Sequence, residues 1–390
     1  MPVLFWVQHL LGSGHLKRAA TLARAMSARG LRVVIASGGT PAPWLVPDDV
    51  ELVQLPPVRA SDVAFTSLLD EHDRPIDDRF RALRREALLA LFRELRPRVL
   101  VTEMFPFGRR AFRFELVPLL EAAARARPRP WRLCSVRDVL VHKPDPQGYA
   151  WMRDQARAHF DRVLVHTDPR LIPFGLTFPH AAALGERLVE TGYVIEPPAV
   201  ETAEGRGEVL VSAGGGRVGA ALLEAALAAR PLSRLRERRW RLIAGGNLAG
   251  DTFGALNARI PHGVVLQRQR EDFPALLANS LLSISQAGYN TVLEGLRFQK
   301  PMVLVPFETA TETEQKTRAE RLVNLGLAEV VWESELTPRT LAGAIDRAWR
   351  ARPVRRPVFR LDGAERTADL VAALAAMPAP DPMAAPEGAG

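Results

Sequence analysis

The 390-residue sequence has only one cysteine, Cys134, and no run of about twenty apolar residues. A single cysteine cannot form a disulfide within the chain, which is typical of proteins from a reducing cytoplasm. Without a long apolar run, we expect no helix that spans a membrane. The start of the chain, Met1–Val7, is apolar but lacks the basic region of a signal peptide. We therefore expect a cytoplasmic protein whose first segment is a β-strand.

Several motifs of nucleotide and metal sites are also missing. Two glycine loops, at residues 11–15 and 212–216, lack the Lys-Ser/Thr ending of a P-loop. Neither loop forms a full G-x-G-x-x-G followed by an acidic residue after the next strand, which gives little support to NAD binding. No Asp-x-Asp motif follows a predicted strand. We therefore predict neither a bound metal nor a cofactor.

Lysine and aspartate are absent from residues 81–137, a stretch that holds fourteen arginines and five glutamates within a chain of net charge +8. Such a basic excess suggests an anionic partner, such as phospholipid headgroups, a lipid-phosphate acceptor or nucleic acid. No nucleic-acid-binding motif accompanies it, so we do not expect nucleic acid. Peripheral association with the anionic inner face of the cell membrane stays open, and so does a solvated arginine-rich surface.

Short apolar segments alternate with amphipathic segments along the chain. The former predict strands at Val3–Val7, Leu31–Ala36, Val50–Leu55, Val99–Thr102, Arg132–Val136, Arg162–His166, Val189–Gly192, Val209–Ser212, Trp240–Ala244, Val264–Leu266, Leu281–Ile284 and Met302–Val305. The latter predict helices at Leu16–Ser27, Asp78–Leu95, Phe112–Arg127 and Ala150–His159. This alternation favours parallel sheets covered by helices on both faces.

One stretch breaks the alternation, since residues 195–207 combine prolines and glycines without apolar periodicity. We therefore predict an α/β protein of two facing doubly wound Rossmann-like domains. The N-terminal domain covers residues 1–195, a linker 196–207 and the C-terminal domain 208–362. A late helix at 363–376 is expected to pack back on the body, and the Pro-, Ala- and Gly-rich residues 377–390 to form a disordered tail. Ligands of such sheets bind beyond the carboxyl ends of the strands, which places the predicted site in the cleft.

The stretch from Ser283 to Gln315 carries the strongest functional signal. Asn290 and Thr291 open a predicted helix, and Glu294 lies one turn further along. A helix N-terminus has unpaired N–H groups and a partial positive charge, so it binds phosphate readily. Glu294 could accept hydrogen bonds from the two ribose hydroxyls, and the later Glu314-Gln315 pair suits the hydroxyls of a sugar. This order predicts a nucleotide-sugar site; the alternative is an ordinary βαβ unit.

The same stretch resembles the donor-binding signature of GT-B glycosyltransferases, both the plant natural-product enzymes and family 28. Family 28 includes the bacterial GlcNAc transferase of peptidoglycan-precursor synthesis. The resemblance is specific over about residues 208–330 and thinner over 1–195. It implies contacts to diphosphate, ribose and donor sugar from Gln286, Gly288, Asn290, Thr291, Glu294, Glu314 and Gln315. Gln286 departs from the pattern, because plant members carry a histidine there that touches the α-phosphate.

The two glycine loops each follow the first predicted strand of a domain. Glycine lets the backbone approach a ligand closely. The residues that we assign to donor binding in these loops are Gly12 and Gly14 in the first, and Gly214, Gly215, Gly216 and Arg217 in the second. Amides of the second loop could hold the diphosphate and stabilise its departing charge. The uracil or other base is expected over residues 267–270, which include Gln269, and UDP is the default nucleotide by resemblance.

His15 lies where the first predicted helix begins. In the resembling families, a histidine just after the N-terminal glycine loop faces the acceptor and can act as general base. A neutral imidazole suits the removal of a proton from an attacking hydroxyl near pH 7. Asp138 and Glu103 each follow a predicted strand, and either could orient His15 or bind acceptor hydroxyls. The alternatives are that His15 merely caps or packs, and that the carboxylates are surface partners of Arg137 and Arg109.

The resemblance therefore implies an inverting, metal-independent glycosyltransferase. The expected donor is a nucleotide-sugar, UDP-linked by default, with UDP-GlcNAc as a candidate; the acceptor is an unidentified hydroxyl compound that could be lipid-linked or anionic. Two alternatives stay open. One is a non-hydrolysing UDP-sugar 2-epimerase, which shares this architecture and donor. The other is a non-catalytic GT-B shell that anchors or regulates a membrane enzyme.

Overall fold

The computed structural model divides the chain into two compact units. The residues that it describes are 1–10, 13–61, 67–140, 145–196, 201–213, 219–246, 248–307, 313–351 and 357–378. The first unit comprises Met1–Pro169, Pro173–Val194 and the chain from Asp362 onward, and the second comprises Arg170–Ile172 and Ile195–Leu361. Most of the predicted tail, from residue 379, lies outside the described residues.

Strands and α-helices alternate along most of the chain. The strands are β1 (Pro2–Val7), β2 (Arg32–Ser37), β3 (Glu51–Gln54), β4 (Arg59–Ala60), β5 (Leu68–Leu69), β6 (Val99–Glu103), β7 (Trp131–Arg137), β8 (Arg162–His166), β9 (Leu188–Glu190), β10 (Val209–Ser212), β11 (Trp240–Ala244), β12 (Val264–Arg268), β13 (Leu282–Ser285), β14 (Met302–Leu304) and β15 (Glu329–Val330). The helices are α1 (Gly14–Ser27), α2 (Asp78–Leu95), α3 (Arg113–Arg125), α4 (Pro146–His159), α5 (Ala220–Ala229), α6 (Gly250–Asn257), α7 (Phe273–Asn279), α8 (Tyr289–Arg297), α9 (Glu314–Asn324), α10 (Pro338–Arg350) and α11 (Gly363–Ala376). Within the described residues, no helix is both long and apolar enough to cross a bilayer.

Each unit is built on one parallel sheet, which confirms the predicted α/β class. The first sheet has the order β3-β2-β1-β6-β7-β8-β9 and the second the order β12-β11-β10-β13-β14-β15. In each sheet the chain moves outward from its first strand and then returns to that strand's other side. The reversal lies between β1 and β6 in one sheet and between β10 and β13 in the other. Crevices at the carboxyl ends of such strand pairs are where doubly wound sheets bind ligands.

Strand β1 shows why both faces of the first sheet are covered. Its residues Val3 to Val7 are completely buried, and successive side chains point to opposite faces. On one face, Val3, Phe5 and Val7 pack with residues of α1 and α11, including Leu16, Leu22, Met26, Val371 and Leu374. On the other face, Leu4 and Trp6 pack with residues of α2 and α3, including Leu88, Phe92, Leu116 and Leu120. The core therefore fixes α1, which carries His15, directly on the sheet.

Predicted and observed bounds differ where backbone geometry intervenes. The helix predicted to reach Arg127 ends at Arg125. Arg127 precedes Pro128, and a residue in that position disfavours helical dihedrals. The strand predicted to reach Gly192 ends at Glu190, and Gly192 has a positive φ of 93° that an extended strand does not use. In contrast, α2 and α11 begin and end at the predicted residues.

The start of α11 leaves no room for a side chain. A Cβ added at Gly363 would lie 2.1 Å from the carbonyl oxygen of Gly192 and 2.7 Å from that of Tyr193. We expect Gly363→Ala to lower the free energy of unfolding by about 1–3 kcal/mol, the usual cost of overpacking. Urea denaturation measures this, with Gly254→Ala in α6 as the control, because no atom lies within 4 Å of a Cβ there. A Gly363→Ala protein as stable as the wild type would contradict the close contact.

Candidate active site

His15 and Glu103 meet at the strand reversal of the first sheet. His15 is the second residue of α1, which follows β1, and Glu103 is the last residue of β6. The Nδ1 atom of His15 lies 3.0 Å from Oε1 of Glu103. The side chain of His15 is 20% exposed, whereas that of Glu103 is completely buried. Of the two predicted carboxylates, Glu103 is therefore the one that contacts His15.

Glu103 is surrounded by donors. Arg18, one turn along α1, contacts Oε1 of Glu103 through Nη2, and Ser135 donates its hydroxyl to Oε2 at 2.8 Å. Burial alone raises the pKa of Glu103, but the charge of Arg18 and the hydrogen bonds from His15 and Ser135 outweigh it. The pKa of Glu103 therefore lies well below its usual value, and the carboxylate is ionised at neutral pH.

The same surroundings keep His15 neutral. Burial lowers the pKa of His15, and the nearby positive charges of Arg109 and Arg18 lower it further against the opposing effect of Glu103. An ionised carboxylate oxygen at 3.0 Å requires a donor, so Nδ1 carries the proton. Arg18 Nη2 lies farther from Nδ1, at 3.4 Å, and does not change this assignment. The Nε2 atom of His15 is then left with the lone pair that a general base needs.

The hydrogen bonds continue beyond Glu103 through residues that the sequence analysis did not identify. Ser135 Oγ lies 2.9 Å from Nε2 of His166, and Nδ1 of His166 lies 2.8 Å from Oγ1 of Thr191. His166 is the last residue of β8, a strand that was predicted with its correct bounds. Its position at a carboxyl end was therefore a usable signal, but only strand order shows that β8 lies beside β7.

Asp138 follows β7 and is completely buried, as is Glu103. Neither carboxylate therefore lies on the surface, and the arginine that pairs with Glu103 is Arg18. Arg109 donates from Nε to the carbonyl oxygen of Gln8 at 2.7 Å, which ties it to the loop after β1. A role of Asp138 toward the acceptor stays a prediction.

In the second unit, α8 begins one residue earlier than predicted. It starts at Tyr289, and Gly288 is its N-cap residue. Its N-cap glycine has no side chain to cap the helix, and the partial positive charge of a helix N-terminus favours an anion there. Asn290 is exposed at this end, and Glu294 is half-buried one turn later. Because residues four apart share a helix face, Asn290 and Glu294 lie on the same side of α8.

Two serines lie at the strand reversal of the second sheet. Ser212 of β10 and Ser285 of β13 are register partners at the carboxyl ends of these strands, and both are buried. The hydroxyl oxygen of Ser212 is buried without a hydrogen-bond partner among the described residues. An unpaired buried hydroxyl is unfavourable, so a polar ligand atom at this edge would stabilise it.

Glu314 and Gln315 make contacts that the sequence did not predict. Glu314 Oε1 accepts from Nη2 of Arg318 at 2.8 Å. Gln315 Oε1 accepts from the backbone N–H groups of Ala287 and Phe307, each at 3.1 Å. These contacts fasten the start of α9 to the loops that follow β13 and β14. The predicted role of this pair at the donor sugar stays a prediction, and for Gln315 it would involve Nε2.

The remaining predicted donor residues are scattered or not described. Gly14 opens α1, Gln269 is exposed just after β12, and Gln286 is half-buried between β13 and α8. Outside the described residues lie Gly12, Gly214, Gly215, Gly216 and Arg217. In the part of the chain that the structure describes, no three His, Cys, Asp or Glu side chains form a group that could hold a metal ion.

Part of the sequence is similar to known proteins. Residues 214–357 match the glycosyltransferase family 28 C-terminal domain. The UDP-N-acetylglucosamine--N-acetylmuramyl-(pentapeptide) pyrophosphoryl-undecaprenol N-acetylglucosamine transferase of Nitrobacter hamburgensis is 37% identical over 117 residues, 28% of this chain and 31% of that protein. The proteins of the same name from Brucella anthropi and Rhodopseudomonas palustris are 32% and 30% identical over 49% and 53% of this chain. The matches span 56% and 62% of those two relatives, so less than two thirds of each is covered.

Solved structures resemble the fold over nearly the whole chain. The calicheamicin glycosyltransferase CalG4 superimposes with a TM-score of 0.66 at 19% identity, covering 97% of this chain and 99% of that one. MurG of Acinetobacter baumannii superimposes with a TM-score of 0.58 at 18% identity, covering 95% and 99%. At such identities the likeness concerns the fold. The chain therefore has the GT-B fold of these glycosyltransferases, and its residues 214–357 match the glycosyltransferase family 28 C-terminal domain.

Proposed function

We propose that this protein is an inverting glycosyltransferase that moves a sugar from a nucleotide-sugar to a hydroxyl acceptor. The observation that carries the proposal is the hydrogen bond between Nδ1 of His15 and Glu103 at the carboxyl edge of the first sheet. It leaves a neutral imidazole whose Nε2 can take a proton. The match of residues 214–357 to the family 28 C-terminal domain supports a nucleotide-sugar as the donor.

The donor is assigned from the second unit. The N-terminus of α8, with its partial positive charge, is our candidate site for the diphosphate, and the hydroxyl of Ser212 is a further donor at the same sheet edge. Glu294, one turn inside α8, is our candidate acceptor of hydrogen bonds from the ribose hydroxyls. The names of the related enzymes include UDP-N-acetylglucosamine as a substrate, which makes a UDP-sugar the first donor to test.

The reaction follows from these groups. Nε2 of His15 removes the proton of the acceptor hydroxyl as its oxygen attacks the anomeric carbon, and ionised Glu103 stabilises the imidazolium that forms. The bond between that carbon and the diphosphate oxygen breaks, and the electron pair leaves with the nucleoside diphosphate. The N-terminus of α8 stabilises this developing charge. A single displacement inverts the configuration at the anomeric carbon, and we propose that it proceeds without a metal.

A thermal-shift panel tests the donor assignment. We expect UDP and one UDP-sugar to raise Tm, and the increase to be the same with and without Mg²⁺. GDP, dTDP, CMP and NAD are tested in the same panel and are not expected to raise Tm. UDP release from that UDP-sugar, with water as a slow acceptor, then tests turnover. A new UDP-sugar formed without UDP release would indicate an epimerase, and stabilisation by NAD or by none of these compounds would contradict the proposal.

Glu294→Ala is expected to weaken UDP binding by about 1–3 kcal/mol, because charge-assisted hydrogen bonds to the ribose are lost. Isothermal titration with UDP measures this change. Glu320→Ala, on the exposed side of α9 in the same unit, is the control and should bind UDP as the wild type does. Equal affinity of the Glu294→Ala and wild-type proteins would remove Glu294 from the ribose site.

Some of the arginines in residues 81–137 are buried. Arg84 pairs with Glu115 in the core, and Arg129 and Arg132 pair with Asp161, so these arginines are not available to a membrane. Exposed arginines of the same stretch are Arg93, Arg96, Arg110, Arg113, Arg125 and Arg127.

We propose that these exposed arginines hold the protein at the anionic inner face of the cell membrane. Sedimentation with phosphatidylglycerol vesicles should show binding that is lost at high salt, and phosphatidylcholine vesicles are the control. An absence of binding at low salt would contradict this localisation.

A further inference from the structure

A buried row of polar side chains leads away from Glu103. It consists of Glu103, Ser135, His166 and Thr191, which are joined by contacts of 2.8, 2.9 and 2.8 Å. None of the four is more than 2% exposed. Bulk water therefore does not compete for these hydrogen bonds, and the side chains must satisfy one another.

Neighbouring parallel strands build this row. Glu103 and Ser135 are register partners on β6 and β7, His166 ends β8 beside β7, and Thr191 directly follows β9. Carboxyl ends of parallel strands meet at one edge of the sheet, so each strand adds one polar side chain there. The row ends at the His15–Glu103 pair.

Two arrangements of protons fit these distances. In the first, Thr191 donates to Nδ1 of His166, His166 donates from Nε2 to Ser135, and Ser135 donates to Glu103. In the second, Thr191 donates to the carbonyl oxygen of Val165 or Gly192, which lie 3.4 and 3.3 Å away. His166 then donates from Nδ1 to Thr191, and Ser135 donates to His166 instead of to Glu103.

The charge on Glu103 decides between them. In the second arrangement an ionised Oε2 would face the lone pairs of Ser135 Oγ at 2.8 Å, which is repulsive. The first arrangement gives that oxygen a donor and leaves no polar atom of the row unpaired. It also requires opposite tautomers of two histidines: Nε2–H at His166 and Nδ1–H at His15.

We propose that Ser135 and His166 are positioning residues that hold Oε2 of Glu103, so that Oε1 accepts from Nδ1 of His15. A carboxylate bound through both oxygens cannot rotate away from the imidazole. The catalytic meaning of this row rests on the proposed function. The orientation of Glu103 and the two tautomers do not, and they can be measured without any substrate.

The test is nitrogen NMR of the full-length protein labelled with ¹⁵N-histidine, at pH 7.5. The chain has eight histidines, and the two of interest are assigned from the signals that disappear in His15→Gln and His166→Gln. We expect both to be neutral, His15 as the Nδ1–H tautomer and His166 as the Nε2–H tautomer. His166 found as Nδ1–H would overturn the proposed direction of the row.

Variants then test whether the row acts on His15. Ser135→Ala removes only the hydroxyl, and His166→Phe removes both ring nitrogens. Each is expected to shift His15 toward the Nε2–H tautomer that a free histidine side chain prefers. His166→Gln keeps a donor near the position of Nε2 and should retain the Nδ1–H form of His15. An unchanged tautomer of His15 in Ser135→Ala, which is the variant least disturbing to packing, would overturn the proposal.

Turnover supplies the second readout. In UDP release from the donor identified above, Ser135→Ala should lower kcat by on the order of ten- to a hundredfold with little change in KM for the donor. The same change in a His15→Ala background should cause no further loss, whereas a merely structural role would lower the residual rate again. If no donor turns over at all, the proposed function fails while the tautomer measurement still decides the positioning role.

Discussion

Replacing His15 by alanine is expected to lower the rate of sugar transfer by on the order of 10²–10⁴-fold, the usual contribution of a general base. The imidazole is the one basic group of the His15–Glu103 pair that is both partly exposed and neutral. Glu103 is completely buried and already accepts from Arg18 and Ser135, so it cannot take over the proton. The loss should appear in kcat, because the donor is assigned to the other unit.

The measurement compares UDP release and UDP affinity in the same preparations. UDP affinity of the His15→Ala protein should equal that of the wild type. His72→Ala is the matched control, since its imidazole is 65% exposed in the same unit, and it should retain full activity. Unchanged turnover of His15→Ala would remove His15 from the chemistry. Glu103→Gln keeps an acceptor oxygen but loses the charge, so its turnover should lie between those of the wild type and His15→Ala.

Glu115→Ala is expected to lower the free energy of unfolding by about 3–5 kcal/mol, because it leaves a buried guanidinium without its counter-charge. Arg84 and Glu115 are both completely buried. Arg84 donates to the two carboxylate oxygens at 2.6 and 3.0 Å, and Trp6 donates to the same carboxylate at 2.9 Å. The guanidinium also donates to the carbonyl oxygens of Gly38 and Pro56. Glu115→Ala therefore leaves the N–H of Trp6 without its partner and the guanidinium of Arg84 without its counter-charge.

Chemical denaturation followed by tryptophan fluorescence measures this loss. Glu121→Ala is the matched control, since Glu121 lies on the same helix α3 and pairs with Arg125 where both side chains are exposed. Such exposed pairs contribute less than about 1 kcal/mol. A double change, Arg84→Met with Glu115→Leu, should recover only part of the stability, because the N–H of Trp6 stays without a partner. Equal stabilities of Glu115→Ala and Glu121→Ala would contradict the assignment.

The sequence does not decide whether Glu103 or Asp138 contacts His15. Glu103 and Asp138 each follow a predicted strand, and the sequence provides no reason to prefer one of them. The structure selects Glu103 because β6 is the neighbour of β1, so that its last residue meets the start of α1. The choice therefore depends on strand order, which local periodicity does not encode.

Ser135, His166 and the Arg84–Glu115 pair went unpredicted for the same reason. Their partners lie 31 or 32 residues away in the chain, and nothing in the local pattern marks them as partners. Gln315 is a related case, since its contact with two backbone N–H groups depends on how the loops after β13 and β14 converge.

Local sequence patterns are sufficient to predict the alternation of strands and helices, the α/β class and the signature of the family 28 domain. These features depend on residue periodicity, turn residues and short motifs, all of which act within a few residues. The folded chain is needed to show which carboxylate contacts His15, which side chains hold that carboxylate, and which arginines are buried rather than exposed. Those pairings depend on burial and on the order of strands in the sheet, because the interaction of two charges depends on their separation and on the dielectric around them.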